Sequence, residues 1–176
     1  MPKTRKPRRQ KPKRQKTRKR PNAFTVKANG MANVLISEVQ VAPAFDPAKV
    51  KEVPQHHLYK AIWDTGATSS VITQTVVQEC GLLPTGMTNV NTASGMTTSL
   101  VYLVNFILRN NVGVIGVRVT EGRLSGDINV LIGMDMINFG DFAVTNHNRN
   151  TTFTFRIPSL QTIDFVKYKY TPKTLK

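Results

Sequence analysis

Short runs in which apolar and polar residues alternate recur along the chain between about residues 24 and 160. Each run is rich in β-branched or aromatic residues and is bounded by Gly, Pro, Asn or Ser, which is typical of β-strands. The predicted strands are Met31–Val41, Leu58–Trp63, Thr88–Thr92, Met96–Leu108, Val112–Thr120, Ile128–Gly133, Asp141–Thr145 and Thr151–Ile157. Turn residues join many of them in pairs. The pattern therefore predicts a mainly β domain, a folded-over sheet or small closed barrel rather than a parallel βαβ sheet.

Two segments depart from the alternation of strands and are predicted as short helices. Between Ser70 and Cys80 the apolar residues recur at spacings of about four, and Ser70 or Thr73 can cap the start of a helix there. Gly81 suits the left-handed residue that follows a helix end. The β-branched residues of this segment would also tolerate a strand. A second helix of one or two turns is predicted for Met134–Phe139.

The two ends of the chain differ in composition from the middle. Residues 1–20 hold 12 of the 25 Lys and Arg residues and no acidic residue, and the formal net charge of the chain is +15. Such a segment cannot bury enough apolar surface to offset the entropy lost on ordering. We predict a disordered basic tail over residues 1–23, one domain over residues 24–160 and a polar C-terminal tail over residues 161–176.

No apolar segment follows the basic tail as it would in a signal peptide, and no stretch approaches the ~20 apolar residues of a membrane span. We therefore expect a cytoplasmic protein without membrane contacts. Cys80 is the single cysteine, so an intramolecular disulfide is excluded. His56 and His57 lack a third ligand nearby in sequence and are interpreted as an exposed loop pair. We predict no metal and no cofactor.

Candidate chemistry is concentrated in Ala61–Ser70, an apolar strand that ends in Asp64-Thr65-Gly66-Ala67. A carboxylate at the end of a buried strand is costly to desolvate, so its presence indicates a function. Glycine lets the backbone turn sharply there, and the small neighbours do not crowd the carboxylate.

A predicted β-hairpin has its turn at Ala93-Ser94-Gly95. Its first arm and tip are small and polar, whereas its second arm becomes strongly apolar. This gradient suits a hairpin whose base joins the core and whose tip projects over a cleft. An ordinary surface hairpin is the alternative.

The order of these parts resembles the retropepsin family of aspartic proteases, in its cellular and bacterial branch. Leu131-Ile132-Gly133 stands where that family has a strand crossing behind the catalytic loop, and Gly133-Met134-Asp135-Met136 is similar to runs in its cellular and bacterial members. Viral members usually have Arg where Met134 stands, so their Arg-based ion pair is absent. The resemblance covers roughly Val34 to Ile157.

The resemblance implies an aspartic endopeptidase that acts on peptides and is active as a homodimer, with one lobe per chain. The chain has a single Asp-Thr-Gly sequence. Aspartic proteolysis needs two neighbouring carboxylates that share a proton, so a second chain must supply the second Asp64.

The resemblance also assigns roles to individual residues. The implied catalytic residues are Asp64, Thr65 and Gly66; the substrate-binding residues are Ala67 and Thr68 with the flap residues Ala93, Ser94 and Gly95; and the structural support is Leu131, Ile132 and Gly133. Asp135 is interpreted as a carboxylate at a helix start, where the dipole favours negative charge. Trp63 either packs in the core or narrows a subsite.

Two further hypotheses remain open from the sequence. The domain could be a non-catalytic retropepsin-like module that dimerises or binds peptides. Alternatively, the tail over residues 1–20 could make the protein a nucleic-acid-associated one. The tail has no aromatic residue, so such contact would be electrostatic and independent of sequence.

Overall fold

A computed structural model describes residues 22–92 and 95–167. The predicted basic tail up to residue 21, the hairpin residues Ala93 and Ser94, and the end of the C-terminal tail from residue 168 lie outside the described residues. The strands are β1 (Ala23–Lys27), β2 (Leu35–Pro43), β3 (His57–Trp63), β4 (Val71–Ile72), β5 (Gly86–Thr92), β6 (Gly95–Leu108), β7 (Val112–Glu121), β8 (Ile128–Ile132), β9 (Asp141–Thr145) and β10 (Thr152–Arg156), and the helices are α1 (Gln74–Glu79) and α2 (Met134–Ile137).

Six of these strands close into a barrel. Their order is β2-β3-β8-β4-β7-β6, and β6 pairs again with β2, which leaves β5 as an additional arm beside β6. The interior is filled by side chains that are at most 1% exposed: Val39, Val41, Ile72, Val104, Phe106, Val119, Val130 and Ile132. The prediction of a mainly β fold with a small closed barrel is confirmed.

Strand β8 lies between β3 and β4, although β3 and β4 are joined by the short segment 64–70. It runs parallel to β3 and antiparallel to β4. The segment 64–70 must therefore pass around the C-terminal end of β8. This arrangement brings Asp64-Thr65-Gly66 and Gly133 together.

A second sheet has the order β1-β10-β9 and is antiparallel throughout. It packs on the barrel through Trp63, which is 4% exposed, stacks on Phe142 with ring centroids 5.5 Å apart, and donates from Nε1 to Ser37 Oγ at 2.9 Å. Phe24, Phe153 and Phe155 complete this aromatic cluster. Of the two alternatives for Trp63, the structure shows core packing.

The first strands differ from the sequence-based expectation. Strand β1 was not predicted, and β2 begins at Leu35 rather than Met31. The chain between them is held by a different set of bonds, because Gly30 O accepts from Thr151 N and Ala32 N donates to Thr151 Oγ1. These bonds replace ladder pairing with β3 in this stretch.

The segment predicted as a helix from Ser70 to Cys80 is wrong in its first part. Val71 and Ile72 form strand β4, because they pair with β7 on one side and β8 on the other. The helix begins only at Gln74, and its N-cap Thr73 makes no side-chain capping bond. Gly81 follows the helix with φ +59°, as expected for its left-handed end.

Asp141 fastens the start of β9 to the end of β10 and to the segment beyond it. Its side chain is 15% exposed and accepts from Ser159 Oγ at 2.6 Å, from Leu160 N at 2.9 Å and from the Arg156 guanidinium. The bond from Ser159, followed by those from Leu160 and Arg156, holds the pKa of Asp141 well below its usual range.

This lowered pKa predicts acid sensitivity of the fold. Because the folded-state pKa lies below the unfolded value of about 4, the stabilisation is complete above that pH and is lost as the pH falls further. In a thermal melt, Asp141→Asn should lower the midpoint by several degrees at pH 7 and flatten its dependence on pH below 5. Asp127→Asn is the matched control. The pKa of Asp127 is also lowered, by its hydrogen bond and ion pair with Lys60. The side chains of Asp127 and Lys60 are 72% and 55% exposed, so solvent screens their interaction and it should contribute little to stability. Equal effects of the two variants would contradict the prediction.

No helix among the described residues is long and apolar enough to cross a membrane.

Candidate active site

Asp64 is the first residue after β3 and is held by its backbone. Its N–H donates to Ile132 O at 3.0 Å, which extends the contact between β3 and β8 by one residue. Its Oδ1 accepts from Gly66 N at 2.8 Å, and its carbonyl accepts from Ala67 N at 3.3 Å. The side chain is half-buried, and the next residue, Thr65, is exposed. A tight turn thus presents a fixed carboxylate beside an open surface.

Gly133 allows the loop to pass close to the end of β8. A Cβ on Gly133 would lie 2.8 Å from the carbonyl carbon and oxygen of Ser69 and 2.9 Å from Ala67 O. Glycine is needed at this position because there is no room for a side chain, and not because of the backbone conformation. A φ of −95° is accessible to any residue. Just beyond it, Met134 N donates to Ala67 O at 2.8 Å and Asp135 N donates to Thr68 O at 3.1 Å. The loop therefore rests on the start of α2.

Asp135 links this loop to α2 through its side chain. One oxygen accepts from Ser70 N and the other from Ser70 Oγ, both at 2.8 Å. Ser70 is fully buried, and its hydroxyl in turn accepts from Gly133 N at 3.1 Å. Asp135 does lie in the first turn of α2, as predicted, but this bonding to the loop was missed. No local sequence pattern indicates it, because Ser70 and Asp135 are 65 residues apart.

The hairpin arms β5 and β6 stand over a cleft of about 930 Å³. They pair in register from Gly86–Val101 to Thr92–Gly95, so the predicted hairpin is confirmed up to its turn. Opposite the arms, the cleft is bounded by β4, the start of α1 and the segment from the end of β7 into β8, including Val71, Glu121, Arg123 and Leu131.

The loop over residues 64–70 leads into this cleft without forming its wall. Asp64, Thr65, Gly66, Ala67 and Thr68 are not among the lining residues, whereas Val71, directly after the loop, is. In a single chain, Val71 just after the loop lines this half-enclosed cleft and the carboxylate of Asp64 does not.

The model of a known family, the gag-polyprotein putative aspartyl protease family, matches residues 51–138. The match begins before β3 and ends just after α2, so it includes the loop, the hairpin and β8. The chain belongs to this retropepsin-like aspartic protease family.

Several solved structures of retropepsin-like proteins are similar to the chain. A retropepsin-like aspartic protease from Rickettsia conorii is 14% identical with a TM-score of 0.49, covering 81% of this chain and 99% of that one. The simian foamy virus (mac) protease is 16% identical with a TM-score of 0.39, and the match covers 58% of this chain and 91% of that protease. The foamy viral protease–reverse transcriptase in complex with an RNA/DNA hybrid is 23% identical with a TM-score of 0.38. That match covers 57% of this chain and 11% of the protease–reverse transcriptase. No curated protein sequence matches the chain.

The retropepsin-like chain brings together most of the residues that the sequence singled out. Asp64 to Thr68 form one turn, and Ile132 and Gly133 lie against it. Leu131 pairs with Ile62 on one side and Val71 on the other. Gly95 starts β6 with φ +117°, while Ala93 and Ser94, which the sequence analysis assigned to a flap, lie outside the described residues.

The His pair differs from its interpretation as exposed. Both side chains are half-buried, with His56 against Phe45 and His57 stacked on Tyr59 at the start of β3. Within residues 22–92 and 95–167, no group of three His, Cys, Asp or Glu side chains is placed to hold a metal ion.

Proposed function

We propose that this retropepsin-like chain is an aspartic endopeptidase whose active unit is a homodimer with one Asp64 from each subunit. The observation that carries the proposal is the single Asp-Thr-Gly loop, which is hydrogen-bonded to the end of β8 and to the start of α2. Half of a two-carboxylate site is built into each chain, and Thr65 beside it is exposed. A two-fold axis through this surface would complete the site.

The two carboxylates would share one proton and hold a water molecule between them. One acts as the general base that takes a proton from the attacking water, and the other, protonated, polarises the carbonyl of the scissile peptide bond. Thr65 would hydrogen-bond across the axis and hold the two loops together. Gly66 has no side chain and so leaves room for water and substrate beside the carboxylate. A Cβ added at this position would lie 3.2 Å from Asp64 Oδ1.

The substrate would bind as an extended strand between the loop and the hairpin. Ala67 and Thr68 flank the peptide in this arrangement, and the hairpin with Ala93, Ser94 and Gly95 at its turn acts as the flap. A flap of this kind excludes water and adds backbone hydrogen bonds to the peptide.

The experiment is an active-site titration with a statine-type transition-state inhibitor, combined with molar mass by light scattering. We expect one inhibitor bound per two chains and the mass of a dimer. One inhibitor per chain, or a monomer that cleaves peptides, would overturn the dimeric mechanism. Binding of peptides without cleavage from acid to neutral pH would instead support the non-catalytic module.

A second candidate function concerns the basic tail. The described residues carry ten Lys and Arg and ten Asp and Glu, so the net charge of +15 comes from residues 1–21 and 168–176. This separation of charge from the domain supports non-specific nucleic-acid contact through residues 1–20. In a gel-shift assay, affinity should fall steeply with salt and be lost when residues 1–20 are deleted. Binding that survives the deletion would refute this role of the tail.

A further inference from the structure

The cleft beneath the hairpin contains two charged side chains among its described lining residues, Glu121 and Arg123. The other described residues that line the cleft are uncharged. Since charges in a binding cleft select for complementary groups on a ligand, these two residues decide the electrostatic preference of the cleft. They have opposite signs, so their surroundings must be compared.

Glu121 is the last residue of β7 and is held in place by the barrel. It is half-buried, and its Oε2 accepts from the hydroxyl of Tyr102 at 2.9 Å. Tyr102 is 2% exposed, and burial, together with the adjacent Glu121, raises its pKa to about 12. The hydroxyl is therefore a fixed neutral donor. A carboxylate can accept about four hydrogen bonds, so Glu121 retains capacity for a ligand.

Arg123 lies two residues further along and is exposed. Within the described residues it forms no salt bridge, and its long side chain is not fixed by a carboxylate. An exposed ion pair contributes little because solvent screens it and the side chain loses entropy. A half-buried carboxylate in fixed geometry interacts more strongly, since the effective dielectric constant is lower there. Glu121 therefore outweighs Arg123.

The apolar part of the cleft suits the stem of a long cationic side chain. Val71, Val90, Leu100 and Leu131 line the same cleft and are all incompletely buried. Lys and Arg place their methylene groups along such surfaces and their charge at a polar end.

We propose that Glu121 selects peptide substrates that carry Lys or Arg within a few residues of the cleaved bond. The inference rests on the proposed function, because it names the substrate class of that same cleft. It assigns Glu121 as a specificity-determining residue.

The test uses the full chain and a synthetic peptide library randomised at each position. Cleavage by the wild type is followed by mass spectrometry, and immobilised Asp64→Asn protein captures peptides from the same library. We expect Lys and Arg to be enriched at one position in both readouts. A peptide with Lys there should be cleaved with roughly tenfold higher kcat/KM than its norleucine counterpart, as expected for one hydrogen bond to a charged group.

Glu121→Gln removes the charge but keeps an acceptor for Tyr102, and it should bring the Lys-to-norleucine ratio close to one. Arg123→Gln is the matched control and should retain the preference. Thermal melts check folding, and Glu121→Asp serves as a second variant, with an expected intermediate ratio.

The inference is overturned if the wild type uses Lys and norleucine equally, if the preference survives Glu121→Gln, or if an acidic preference disappears in Arg123→Gln. Failure of the proposed function gives a different result. In that case the wild type cuts nothing, while capture by the Asp64→Asn protein still tests the preference. If the Asp64→Asn protein captures peptides enriched in Lys and Arg, and the double variant Asp64→Asn/Glu121→Gln does not, the inference is supported. If the Asp64→Asn protein shows no such enrichment, the inference is overturned.

Discussion

Replacing Asp64 with asparagine is expected to abolish peptide cleavage while leaving the fold and the dimer in place. The substitution removes both the general base and the shared proton of the proposed two-carboxylate site, so kcat/KM should fall by roughly a thousandfold or more. The asparagine side chain keeps an oxygen that can accept from Gly66 N, which is the 2.8 Å bond that shapes the turn. The measurement is the cleavage rate of a library-derived peptide, with molar mass by light scattering.

Asp46→Asn is the matched control for this experiment. Asp46 lies in the loop after β2, and its carboxylate bonds only local groups among the described residues, Ala48 N and Lys49. The same chemical change there should leave cleavage at the wild-type rate. Activity retained in Asp64→Asn would refute the assignment of Asp64. Loss of the dimer in that variant would instead give the carboxylate a role in assembly.

The structural features around Asp64 that the sequence predicts correctly are those encoded by contiguous residues. Asp64-Thr65-Gly66 after an apolar strand, the two hairpin arms and the Ile-Gly end of β8 each have a local signature. Turn chemistry and alternation determine such signatures within about ten residues. The family match over residues 51–138 agrees with this, because it includes these three features.

The features that the sequence does not predict depend on pairing between distant segments. The bond between Ser70 and Asp135 joins residues 65 apart, and β1 exists because it pairs with β10, with Ala23 opposite Arg156. Val71 and Ile72 suit a helix by spacing, but they become a strand because β7 and β8 lie on either side. Tertiary pairing overrides a local preference in these cases.

The charged residues of the cleft likewise could not be recognised from the sequence. Glu121 is one of ten acidic residues, and nothing in its neighbours distinguishes it from a surface charge. Its importance arises from the barrel, which places the Tyr102 hydroxyl against it and the hairpin opposite. A specificity residue of this kind can be found only once the cleft has been formed.

Replacing Gly133 with alanine is expected to destabilise the fold and to displace the loop that carries Asp64. The added Cβ would lie within 3 Å of backbone atoms of Ser69 and Ala67, which cannot rotate away as side chains do. Either the loop or the end of β8 must shift, which strains the bonds from Asp64 N to Ile132 O and from Met134 N to Ala67 O. Overpacking of this kind costs about 1–3 kcal/mol of unfolding free energy. A displacement of Asp64 near 1 Å would lower kcat/KM by roughly a hundredfold.

Gly113→Ala separates this effect from a general intolerance of strands to alanine. Gly113 lies in β7, pairs with Ile107, and has nothing within 4 Å of its ideal Cβ position. Its replacement should therefore leave the denaturant midpoint and the cleavage rate almost unchanged, since surface substitutions without clashes change stability by about 0.5 kcal/mol or less. Equal behaviour of the two variants in chemical denaturation would contradict the close approach of the loop to β8. A stable but inactive Gly133→Ala protein would show that this contact positions Asp64 more than it supports the fold.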